Sequence, residues 1–176
     1  TSDTAVFQDV EIKPLQHPAL RGYLTSRAIP PPLASAWVEE AHYTHDGRRF
    51  FALAFKNRSG GHELRNQYYK GCLGHKDITL LPCASAGAPV RVYEGFMDFL
   101  SDLASMTMKP NIPPPFSVVV LNSAAMREAG LAVVRELGAA EAHLYFDNDR
   151  AGQELAVFFR EGLGEWSVTD HSRDYV

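Results

Sequence analysis

The chain has 176 residues, 45% hydrophobic and 22% charged, the proportions of a globular protein of one domain or two small ones, and at that length it buries roughly 68–70% of its unfolded surface; disorder, collagen and coiled coil are excluded. No apolar run approaches the ~18 residues of a membrane span, no basic-then-apolar leader is visible, and two cysteines, Cys72 and Cys83, are too few for a disulfide framework or a cysteine-only zinc site, so a reducing, cytoplasmic setting is expected. The formal net charge of −4 is unevenly spread: residues 1–86 carry ten Lys/Arg against eight Asp/Glu, and residues 87–176 carry seven against thirteen.

The sequence opens at Thr1 without a methionine, as expected of a processed chain or a piece of a longer one. His17 to Ile29 has the spacing of a short amphipathic helix, with Leu20, Tyr23 and Leu24 on one side. Pro30-Pro31-Pro32 ends it, and the last proline can start a second helix through Trp37. Ala41 to Thr44 reads as a strand leading into Asp46-Gly47, a hairpin turn signal. Phe50 to Phe55 and His62 to Tyr68 follow as strands, separated by Ser59-Gly60-Gly61. The expected product is an antiparallel meander that carries the basic residues, since Arg48 to Lys76 hold seven Lys/Arg and one acid, Glu63. Such a stretch suits a polyanion; a solvated hairpin with long cationic side chains accounts for it equally well.

Ser85-Ala86-Gly87-Ala88-Pro89 reads as a connector, which divides the chain into a small α+β subdomain, residues 1–86, and a second domain, residues 87–176. In the second, Val90 to Tyr93 is a short strand, and Phe96 to Met106 has helical spacing with Phe96, Phe99, Leu100 and Leu103 on one stripe. A proline-rich loop, Lys109 to Pro115, precedes Phe116 to Leu121, an apolar β-branched run typical of a strand buried on both faces. Ala124 to Leu137 is the next helix, with Gly138 as its cap; Ala142 to Phe146 is a strand, Arg150 to Leu163 a helix, and Trp166 to Val168 starts a last strand. This βαβαβαβ order implies a parallel sheet with right-handed crossovers, so the fold class is α/β. Ligand sites in such sheets lie beyond the carboxyl ends of the strands.

Glu94-Gly95, Asn122-Ser123 and Asp147-Asn148-Asp149 stand just past those strand ends. Two strands therefore deliver carboxylates to one edge, where converging charges would call for a cation. Hard oxygen donors suit Mg²⁺ or Mn²⁺, with Glu94, Asp147 and Asp149 as the candidate ligands. Asp98 follows Glu94 by one helical turn and can reach the same edge. Asp-Asn-Asp ahead of a helix is also a good N-cap cluster, and Glu94 before glycine is also a turn residue.

Val92-Tyr93-Glu94-Gly95-Phe96-Met97-Asp98 resembles the first motif of the Toprim domain, which primases, topoisomerases and some nucleases and recombination proteins share, and Tyr145-Phe146-Asp147-Asn148-Asp149-Arg150-Ala151-Gly152 resembles its second. The form of the first motif is most similar to that of bacterial DNA primases. Upstream, Tyr23-Leu24-Thr25-Ser26-Arg27-Ala28-Ile29 and Phe51 to Asn57 with Gly60-Gly61 and Leu64-Arg65-Asn66 resemble the segments preceding Toprim in those enzymes; Lys70-Gly71 and Lys76-Asp77-Ile78-Thr79 resemble primase-like proteins of Bacteroides-type mobile elements. The resemblance implies a metal-dependent nucleotidyl transferase that makes primers on a DNA template from nucleoside triphosphates. A 3′-hydroxyl attacks the α-phosphate and pyrophosphate leaves. It implies Glu94, Asp98, Asp147 and Asp149 as catalytic residues, with Mg²⁺ or Mn²⁺ held by Glu94, Asp147 and Asp149.

Lys56, Arg65, Lys70 and Lys76 are candidates for template or triphosphate contacts, with Asn66 in support; Arg65 can grip a phosphate with two hydrogen bonds. Tyr68 and Tyr69 can stack bases or pack in a core. A helicase partner and a zinc-binding domain in a longer parent chain are further implications. Two features depart from the primase pattern: no zinc-domain ligands are present, and the sequence stops at Asp174-Tyr175-Val176, close to where a further acidic pair falls in that family. A Toprim nuclease and a non-catalytic DNA-binding module are the competing expectations. Zinc at Cys72, His75 and Cys83 lacks a fourth ligand, and His171 reads as structural.

Overall fold

The computed structural model describes residues 6–174, which separate into two compact units: residues up to Lys76 with Ala104–Asn111, and Asp77–Leu103 with the chain from Ile112 onward. The first contains a five-stranded antiparallel sheet, and the second a mixed, largely parallel sheet flanked by helices, the α/β arrangement expected.

In the first unit the strands β1 (Gln8–Pro14), β2 (Glu39–His45), β3 (Arg48–Lys56), β4 (His62–Arg65) and β5 (Lys70–Leu73) lie side by side in chain order. Asp46 and Gly47 make the β2–β3 turn with φ of 50° and 73°, the paired positive values that a two-residue hairpin needs, and His45 pairs with Arg48. Tyr43, Ala52, Ala54, Leu64 and Leu73 build a core on one face of this sheet. Leu53 and Phe55, the alternate residues of β3, are also buried, because helix α1 (Pro18–Ser26) stands beside the other face: the His17 ring stacks on Phe51 at 3.9 Å and the Tyr23 hydroxyl meets Arg65. The short α2 (Pro31–Ala34) begins inside the proline run, with Pro30 as its N-cap, and ends before Trp37.

The structure adds and shortens elements relative to the sequence reading. β1 and β5 are strands where none was expected, and the expected strand His62 to Tyr68 is cut at Arg65 by a turn. The cause is Asn66, whose Oδ1 accepts from the backbone N–H groups of Tyr68 and Tyr69, both at 2.8 Å. α1 stops at Ser26, short of Ile29, and Ala28 takes a positive φ of 57°.

Two predictions arise in this unit. Gly22 lies exposed inside α1, and an added Cβ would meet nothing within 4 Å. Gly22→Ala is expected to stabilise by about 0.5–1 kcal/mol through reduced chain entropy in the unfolded state, read as a rise in the urea midpoint. Glu40 is 3% exposed and accepts from the N–H groups of Gln16 (2.9 Å) and His17 (2.7 Å) and from His42 Nε2 (3.0 Å). Burial pushes its carboxyl up, but these hydrogen bonds outweigh burial and hold it below its ordinary 4.5. A carboxyl depressed by folding contributes stability above its unfolded pKa and loses it as pH falls through the folded one. Urea midpoints should therefore drop in the wild type as pH falls below 4.5, and Glu40→Gln should flatten that drop; parallel curves for the two proteins would refute the assignment.

The second unit orders its strands β10 (Ser167–Asp170), β9 (Glu141–Tyr145), β7 (Val90–Tyr93), β8 (Ser117–Val120) and β6 (Thr79–Leu81). β6 is antiparallel to β8 and the other pairs are parallel. The helices are α3 (Phe96–Ser105), α4 (Arg127–Glu136), reached through a 3₁₀ turn at Ala124–Met126, and α5 (Arg150–Leu163). Every residue of β8 is buried, as its apolar run requires between two covered faces. Val90 and Val92 join the core made with Leu131, Val134, Leu155 and Phe159 of α4 and α5, while Arg91 and Tyr93, one residue out of phase, reach Asp102 of α3. Among the described residues no helix is long and apolar enough to cross a membrane.

Candidate active site

β7 occupies the middle of the second sheet, and the chain places β8 on one side of it and β9 on the other. The order of strands therefore reverses around β7, and the carboxyl ends where consecutive crossovers leave in opposite directions are where sheets of this kind bind ligands. Tyr93 ends β7 opposite Tyr145 at the end of β9, so Glu94, one residue on, and Asp147, two residues on, emerge at the same edge. Glu94 N–H donates to the Tyr145 carbonyl at 3.4 Å, and Glu94 Oε2 accepts from Asp147 N–H at 3.2 Å. The structure thus joins the two motifs through a side chain, across 53 positions of sequence.

Helix starts fix the other two carboxylates. Asp98 Oδ2 accepts from Gly95 N–H at 3.1 Å, the reach-back half of a capping box on α3. Asp149 caps α5, with Oδ1 accepting from Gly152 N–H at 2.8 Å. Gly152 permits this join: a Cβ there would lie 1.8 Å from the Asp147 carbonyl oxygen. Asn122, after β8, is buried and donates to the Asp77 carbonyl and to Thr79 Oγ1, both at 3.0 Å, which ties the β8 end to the entry of β6.

Among the described residues no three His, Cys, Asp or Glu side chains come close enough together to hold a metal ion. The donors at this edge are all oxygen, the chemistry a hard divalent cation takes, and Mg²⁺ needs only one or two protein carboxylates when water and substrate phosphate supply the rest. The hydrogen bond from the Asp147 backbone to the Glu94 carboxylate brings these two residues to one edge.

The expected phosphate-binding residues all lie in the first unit, where several have structural partners. Arg65 Nε donates to the Tyr23 hydroxyl at 3.2 Å, and Lys76 Nζ pairs with Glu63 at 3.1 Å, where Glu63 is 3% exposed. Asn66 holds its turn, donating also to the Phe51 carbonyl at 2.9 Å. Lys56 ends β3 and Lys70 begins β5, both exposed. Cys72 and Cys83 are free thiols, and burial followed by the nearby Glu63 charge pushes the Cys72 thiol up to about 11.

A polar network that sequence reasoning missed supports the edge from below. Asp102, 5% exposed, accepts from Arg91 Nη1 at 2.6 Å and from the Tyr93 hydroxyl. Arg91 lies over the Phe116 ring at 4.3 Å, and Tyr93 stacks on Tyr145 at 4.8 Å. Burial and then the Asp102 charge push Tyr145 up to about 12 and raise Tyr93 as well, so both phenols stay neutral, and Tyr93 donates to Asp102. Tyr145 stacks on His171 at 4.6 Å, and His171 belongs to a chain of contacts running from Glu141 through His143 and His171 to Asp174, with distances of 2.7, 2.9 and 2.8 Å. His171 is thus one of a pair. The available signal was a charge in each of two buried patterns: Arg91 within Val-Arg-Val-Tyr, and Asp102 beside the apolar stripe of α3.

Residues 91–175 match the model of a family described as Toprim-like, and residues 9–74 match one described as a domain of unknown function (DUF8464). Among solved structures, the primase fragment of the bacteriophage T7 primase-helicase protein is similar, with a TM-score of 0.60 and 20% identity, over 90% of this chain and 69% of that one. At that identity the similarity is one of fold. No curated protein matches the chain.

Proposed function

We propose that this chain, a Toprim-like module distantly related to a primase fold, is the catalytic core of a primase-like protein that transfers nucleotides onto a primer on a DNA template. The observation that carries the reading is the Glu94 carboxylate bonded to the Asp147 backbone at the strand-order reversal. Glu94 and Asp147 would hold a divalent cation, with Asp149 in reach through the same loop; the cation supplies charge neutralisation for nucleotide phosphates. The protein's own part is positioning. Glu94 locks the two strand ends together, Asp98 fixes the turn that presents Glu94, and Asp149 orders the first turn of α5. Pre-set groups of this kind spend no reorganisation energy during reaction.

Titration of Mn²⁺ followed by water-proton relaxation tests the proposal, with and without a nucleoside triphosphate. Glu94→Gln and Asp147→Asn are each expected to weaken binding on the order of tenfold, because each removes a charged oxygen donor from a site with few of them. Template-directed dinucleotide synthesis should fall in the same two variants. Unchanged Mn²⁺ binding in both, with triphosphate present, would end the catalytic reading. Nicking of plasmid DNA in Mn²⁺ without nucleotides would reassign the site to hydrolysis.

A further inference from the structure

We infer that the first unit carries a stacking surface for single-stranded nucleic acid, built around Tyr68 and Phe50 and flanked by Arg48 and Arg49. Tyr68 is 89% exposed and Phe50 39% exposed, and large aromatic rings are seldom left so open without a use. They do not stand alone. Tyr68 lines two clefts of about 200 and 270 Å³, with Phe50 and Asn66 in both walls. Each is many times the ~30 Å³ share of one water, so planar groups have room to enter.

The surface is rigid. Asn66 accepts from Tyr68 N–H and Tyr69 N–H and donates to the Phe51 carbonyl, so the turn that projects Tyr68 is bolted to β3. Phe50 stacks at 5.9 Å on the buried Tyr43, which meets Phe7 edge-on at 5.0 Å. Held in this way, the rings lose little freedom when a partner stacks on them.

Charge selects the partner. Arg48 and Arg49 are exposed at the start of β3, and Lys70 is exposed just past the turn. From Arg48 to Lys76 the one acid is Glu63, which is buried and paired with Lys76. Asp46 at the hairpin tip lies against His45 at 3.4 Å. Exposed rings with Arg49 in one cleft wall and Arg48 nearby in sequence, with Glu63 withdrawn and Asp46 exposed at the tip beside His45, suit a ligand with flat faces and a polyanionic backbone. Single strands offer both, whereas a duplex hides the base faces. The surface needs no metal and extends the catalytic reading by giving the strand a place to lie.

Fluorescence anisotropy of the 1–176 chain with a labelled oligothymidylate of about twelve nucleotides tests this. Tyr68→Ala is expected to weaken binding about tenfold, within the range for one lost stack, while Tyr68→Phe, which keeps the ring, should bind as the wild type does. Arg49→Gln should lower the slope of log K against log salt by about 0.7, the share of one phosphate contact on a single strand. A duplex of equal length should bind without dependence on Tyr68. The anisotropy is read with EDTA and no divalent cation, so failure of the metal site and failure of this surface give different results. Equal binding by wild type and Tyr68→Ala, or no binding with self-association abolished by Tyr68→Ala, would overturn the inference; the latter would make the surface a contact between copies of the chain.

Discussion

Replacing Gly152 with alanine is expected to destabilise the second unit by about 3 kcal/mol, the upper part of the range for overpacking, and to disturb the candidate site as well. The added Cβ would sit 1.8 Å from the Asp147 carbonyl oxygen and 2.8 Å from its carbon. Both are backbone atoms, so no rotamer change relieves the clash. Either α5 retreats from the end of β9 or the Asp147 peptide moves. Retreat uncovers Leu155 and Phe159, which are 2% and 0% exposed. Movement of the peptide breaks the Asp147 N–H bond to Glu94 and the Gly152 N–H bond to Asp149. Urea unfolding is the measurement, with Gly22→Ala as its control: the same chemical change at an open helical position should move the midpoint the other way. A Gly152→Ala protein as stable as the wild type would show that α5 does not approach Asp147 so closely.

Asp102→Ala should cost about as much, roughly 3–5 kcal/mol, the penalty for removing one partner of a buried ion pair. The carboxylate serves two donors, Arg91 and the Tyr93 hydroxyl. Arg91, with 22% of its side chain exposed, would keep its charge with much of its solvation gone. Because most of this penalty lies in the orphaned partner, a second substitution should recover it: Asp102→Ala with Arg91→Met is expected to be more stable than Asp102→Ala alone. A double variant no better than the single one would locate the cost in lost packing. Since Tyr93 directly precedes Glu94 and stacks on Tyr145, Asp102→Ala should also weaken Mn²⁺ binding without removing a proposed ligand.

These two positions differ in how visible they were. Gly152 was visible as part of a motif, yet its requirement for a bare α-carbon depends on the distance to Asp147. Asp102 carried a faint signal and Arg91 another; only the parallel pairing of β7 with its neighbours and the packing of α3 show that the two charges neutralise each other. Asn66 has a role the sequence does not announce. The sequence offers it as support for Arg65, and its amide also builds the turn that ends β4. Side-chain-to-backbone bonding by asparagine is local and strong enough to cut a strand.

The sequence by itself determined the α/β order of the second unit, because a β-branched run and a 3.6-residue stripe bury themselves in only one way each. It also determined the Asp46-Gly47 hairpin, where few residues tolerate the paired positive φ, and the placing of Glu94 and Asp147 beyond strand ends. The tertiary structure decided what periodicity cannot carry. β1, β5 and β6 are strands because neighbours complete their hydrogen bonds, and short segments have no such reason of their own. The order β10-β9-β7-β8-β6 put β7 between β8 and β9, and with it Glu94 against Asp147. A contact across 53 residues is set by which strands pair, and strand pairing is a property of the whole sheet rather than of any motif within it.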